Sequence, residues 1–63
     1  MNAAMITAKT RQLSDSLGLT DQLKGMTEEL ALNEMARRFE LIHHSRGASM
    51  CREMAAMAKK YAA

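Results

Sequence analysis

Apolar residues recur over the last fourteen positions of this chain at spacings of four, three and four: Met50, Met54, Met57 and Tyr61. Cys51, Ala55, Ala58 and Ala62 repeat the rhythm one residue later. On a helix of 3.6 residues per turn the two rows merge into one broad apolar face. The pattern predicts a helix from Met50 to about Ala62, with Arg52, Glu53, Ala56, Lys59 and Lys60 on its polar side. Lysines near its end suit the helix dipole.

The stretch from Glu28 to His44 carries the second clear helical period. Leu32, Met35, Ala36, Phe39 and Ile42 share one face, and Glu34 with Arg38 is a favourable i,i+4 pair. Thr27 is an N-cap candidate, followed by Glu28 and Glu29 where negative charge suits the first turn. Leu30 and Leu41 lie on the opposite side and flank Glu34 and Arg37 at the same four-three-four spacing. This helix is therefore expected to be gripped on both sides, by the first helix on one and by a partner subunit on the other.

Upstream, Ala3 to Leu17 places Ile6, Thr10, Leu13 and Leu17 on a narrow stripe, and Gly18 suits the position that stops a helix. Thr20 and Asp21 offer another start, with Leu23 and Met26 as a short apolar turn that Gly25 interrupts. One helix from Asp21 to His44, or a short turn before a helix from Glu28, fits equally well. Ser45 to Ser49 reads as a tight connection, with Gly47 left-handed and Ser49 capping the last helix. A short connection favours an antiparallel hairpin. The expectation is an all-α fold over residues 1–63, one small domain. It is a two- or three-helix protomer, a helical hairpin plus an N-terminal helix, assembling into a dimeric helical bundle.

Length sharpens the dimer expectation. A chain of 63 residues buries only about 60% of the surface its unfolded form exposes, so small domains lean on disulfides, metals or oligomerisation. Cys51 is the only cysteine, which excludes a disulfide within the chain. Phe39 and Tyr61 are the only aromatics, and seven methionines supply flexible volume suited to irregular gaps or varied partners. No apolar run reaches the ~20 residues of a membrane span. Met1 to Ala8 lacks a basic region ahead of an apolar one, and with a lone cysteine this points to the cytoplasm.

Charge is uneven. Residues 1–33 carry three basic and four acidic side chains, and residues 34–63 carry six basic and three acidic, plus His43 and His44. Arg37, Arg38, Arg46, Arg52, Lys59 and Lys60 make the last two helices a candidate nucleic-acid or anion contact. A standard helix-turn-helix wants a small residue four before the turn glycine and an aliphatic residue six after it. Around Gly47 those positions hold His43 and Glu53; around Gly18 they hold Ser14 and Lys24; before Gly25 stands Asp21. None fits.

Catalysis has little to work with. A tight hairpin that brought His43 or His44 near Cys51 would satisfy the first geometric test for a Cys–His pair, yet a cysteine on an apolar seam behaves as a hydrophobe. Adjacent histidines diverge by about 100° on a helix, leaving a Glu40–His44 surface pair rather than a metal site. The last helix lacks Trp or Phe anchors for a membrane surface. No enzyme activity, cofactor, metal or small-molecule substrate is expected. Size and helical pattern resemble plasmid- or phage-encoded dimeric helical regulators in architecture alone, which says little about function. The leading expectation is a non-enzymatic regulatory module that self-associates and binds a protein partner. In it the Phe39–Ile42 face and the Met50, Met54, Met57 and Tyr61 face form a core shared between copies, and Leu30, Leu41 and the methionines bind the protein partner. The alternative is a small dimeric regulator of DNA or RNA.

Overall fold

In a computed structural model, which describes residues 1–62, the chain forms four helices and no strand among the described residues. They are α1 (Ala3–Ser16), α2 (Thr20–Leu23), α3 (Glu28–Leu41) and α4 (Ser45–Ala62). α3 and α4 pack as the expected hairpin, the most extensive pairing in the molecule, and α1 lies against both. Cα extents of 31 × 23 × 15 Å make the molecule thin in one direction, so the helices keep wide solvent faces.

Local chemistry explains the boundaries. The Asn2 side chain accepts the Met5 N–H at 2.8 Å to start α1, and Thr27 accepts the Leu30 N–H at 3.2 Å to start α3. α1 ends with Gly18 at φ +69°, where Gly18 N–H donates to Asp15 O and Leu19 N–H to Ser14 O. That pair of bonds is a Schellman closure, and Leu19 turns inward behind it at 6% exposure. Gly25, at φ +87°, separates α2 from α3, which resolves the open choice in favour of a separate short turn.

The α3–α4 corner differs from the expectation. α3 stops at Leu41, and His43, at φ +59°, is the left-handed residue. His43 N–H donates to Glu40 O and His44 N–H to Phe39 O, the same closure that ends α1. α4 then begins at Ser45, so Gly47 and Ser49 are helical rather than turn and cap. His44 does the capping, its Nδ1 accepting the Gly47 N–H at 2.9 Å. Gly47 has a different purpose: a Cβ there would stand 2.7 Å from Phe39 Cδ1 and 2.8 Å from His44 Nδ1. Absence of a side chain lets the Phe39 ring lie on the α4 backbone.

One hydrophobic cluster draws on all four helices and on Leu19. Ile6 comes from α1, Leu23 from α2, Ala31, Leu32, Met35 and Ala36 from α3, and Ala48, Cys51, Met54, Ala55 and Ala58 from α4. The inner face of α3, with Leu32, Met35 and Ala36 at 0% exposure, meets the small-residue row of α4, where Cys51 is also at 0%. Small side chains there let α3 and α4 approach closely. Thr10 and Ser14 are buried without penalty because their hydroxyls donate to Ile6 O and Arg11 O one turn back.

Candidate functional site

The residues expected at interfaces separate into two groups. Met54 is buried at 2%, and Met50, Met57 and Phe39 are half-buried against the core. A single chain thus covers most of the α4 face that was expected to need a second copy. Tyr61 lies at the edge, half exposed, with its hydroxyl donating to Met1 O at 2.9 Å and tying the two chain ends together. Ile42 leaves the core face on which its spacing placed it. The period runs past the end of α3, and the closing turn carries Ile42 into solvent at 65% exposure.

Leu30 and Leu41 stand on the outer side of α3, 54% and 72% exposed. Between them Glu34 binds both neighbouring arginines, Oε2 to Arg37 Nε at 3.4 Å and Oε1 to Arg38 Nε at 3.6 Å. Arg38 also donates to the Gln22 side chain of α2 at 3.3 Å. At the end of α3, Leu41 and Ile42 adjoin Leu17 and Leu19 along a shallow cleft with Arg38 on its rim. Sequence reasoning missed this end because Leu17 and Leu19 flank a glycine turn and share no helical period with Ile42. Met1, just ahead of α1, and Met5 within it form another exposed apolar spot.

The basic side chains do not gather into one bare patch. Arg37 and Arg38 share Glu34, and Arg52 pairs with Glu40 across the hairpin. That pairing replaces the expected Glu40–His44 contact, since His44 turns to Phe39, with ring centroids 5.1 Å apart, and to the α4 backbone. Arg46, Lys59 and Lys60 have no acidic partner among the described residues. They stand exposed on α4.

Cys51 is enclosed, and burial pushes its thiol pKa up, away from the thiolate a nucleophile requires. His44 Nδ1 is committed to the Gly47 N–H. Among the described residues no three His, Cys, Asp or Glu side chains are placed to hold a metal ion. No helix among them is long and apolar enough to cross a membrane.

Comparison with protein-family models, curated proteins and solved structures gives no match, so the arrangement of side chains alone bears on function.

Proposed function

We propose that the protein is a non-enzymatic cytoplasmic regulatory module that self-associates and binds a protein partner through apolar side chains its own core leaves outside. The observation that carries this reading is the exposure of Leu30, Leu41 and Ile42 on a chain whose other branched side chains are mostly buried or half-buried. Exposed apolar groups at one helix side and one corner favour contact with another surface. The paired state of Arg37, Arg38 and Arg52 supports it too, because salt-bridged arginines give up part of their attraction for phosphates.

Self-association then uses the outer side of α3. The Leu17–Ile42 corner beside it is left for a different protein. Light scattering on the wild type and on Leu30→Lys with Leu41→Lys tests the first half. The wild type should gain mass with concentration and the variant should remain at the 7.0 kDa of one chain. A wild type monomeric at every concentration contradicts it.

Arg46, Lys59 and Lys60 favour a second reading, a dimeric regulator of DNA or RNA contacted along α4. Its mark is retention on nucleic acid that falls steeply as salt rises. Absence of retention at low ionic strength removes this reading and leaves the first.

A further inference from the structure

The outer row of α3 is its own complement. Read from either end, Leu30–Glu34–Arg37–Leu41 runs leucine, charge, opposite charge, leucine, at spacings of four, three and four. All four fall within a narrow band on one side of the helix, opposite the buried Leu32, Met35 and Ala36. We infer that two copies of this chain pair antiparallel along α3, about a two-fold axis between Met35 and Ala36. Leu30 of each copy then sits against Leu41 of the other, and Glu34 against Arg37. The inference rests on the proposed self-association and adds its register and direction.

Charge chooses this occupant. An antiparallel pair brings each Glu34 to Arg37 of the other copy, two opposite-charge contacts in all, and a parallel pair would set Glu34 against Glu34 and Arg37 against Arg37. Like charges facing one another are strongly disfavoured, so the charged centre of the seam selects direction and the leucines close its two ends. Leu30 to Leu41 spans about 16 Å at 1.5 Å per residue, a contact one helix pair can make along its length. A two-fold interface must be self-complementary in this way.

The charges also keep partners throughout. Glu34 holds Arg38 through Oε1 and Arg37 through Oε2 in the single chain. The Arg37 side chain is 69% exposed, so it can turn to Glu34 of the second copy while Arg38 stays in place, steadied by Gln22. No carboxylate is stripped of every cation when the seam closes, which avoids the severe cost of a buried unpaired charge. A seam this small gives a weak, reversible dimer at the low end of interface sizes.

Sedimentation equilibrium on four samples of the full chain tests the pairing: wild type, Glu34→Arg, Arg37→Glu, and the two variants mixed one to one. Glu34→Arg leaves only cations at the centre of the seam and Arg37→Glu leaves only anions. Each variant alone should dimerise about tenfold more weakly or worse, and the mixture should regain dimerisation. Circular dichroism establishes that the variants remain helical. Variants that dimerise as the wild type does, or a mixture that fails to recover, overturn this register and leave self-association standing. A monomeric wild type overturns both. Leu30→Cys mixed with Leu41→Cys gives an independent check, since Cys51 is buried and does not compete. Oxidation should link the two variants to each other. A disulfide formed by Leu30→Cys alone would indicate a parallel pair and refute the proposal.

Discussion

α3 carries leucines on two sides, and they meet opposite fates. Leu32 on the inner side is fully buried, while Leu30 and Leu41 on the outer side keep half or more of their surface in water. The difference lies in their neighbours. Leu32 is flanked along its face by Met35, Ala36 and Phe39, an unbroken apolar row that meets the small residues of α4. Leu30 and Leu41 are held apart by Glu34 and Arg37, so the same helix offers no continuous apolar surface on that side. A contiguous row closes a core, which is non-directional. A row interrupted by two opposite charges is poor material for a core but specifies direction and register.

The comparison breaks first on the inner side. Leu32→Ala should destabilise the protein by about 2–5 kcal/mol, enough to unfold a chain of this size, as chemical denaturation will read. Gly47→Ala should cost about 1 kcal/mol even though alanine favours helices, because its Cβ has no room beside the Phe39 ring. His43→Gly should act the other way and stabilise by about 1 kcal/mol, relieving a left-handed backbone that glycine adopts freely. Thermal melts of this pair show whether the corner that folds α4 onto the inner side is limited by space or by backbone strain. The smallest effect belongs outside: Leu41→Ala should change monomer stability by no more than about 0.5 kcal/mol, measured by melts at low micromolar concentration. A loss comparable to that of Leu32→Ala would erase the distinction between the two sides.

How much of this was legible in the chain depended on whether a residue's usual reason was its actual one. Gly18 and His43 complete the same helix-ending hydrogen bonds. Gly18 was readable because glycine is the common occupant of a left-handed position. His43 was not, and Gly47 drew the turn to itself although it serves close packing. The displaced turn also explains Ile42, whose spacing matches a core face on a helix that has already ended. The stripe of Ile6, Thr10, Leu13 and Leu17 and the inner face of α3 were readable from period alone. The Met50–Tyr61 face was read correctly as apolar, but which element covers it is set by tertiary packing, and α3 with α1 covers it within one chain. Of the candidate site, the Leu30–Leu41 row was visible because it breaks an otherwise charged face. The Leu17–Ile42 corner joins residues far apart in sequence and carries no local signal.

A concentration series of amide NMR spectra of the wild-type chain tests most directly whether contact between copies uses the outer side of α3. Dilution should shift the signals of Leu30, Glu34, Arg37 and Leu41 together along one binding curve and leave Cys51, Met54 and Ala55 unmoved. Spectra that do not change with concentration, or changes centred on the core face of α4, would contradict the account.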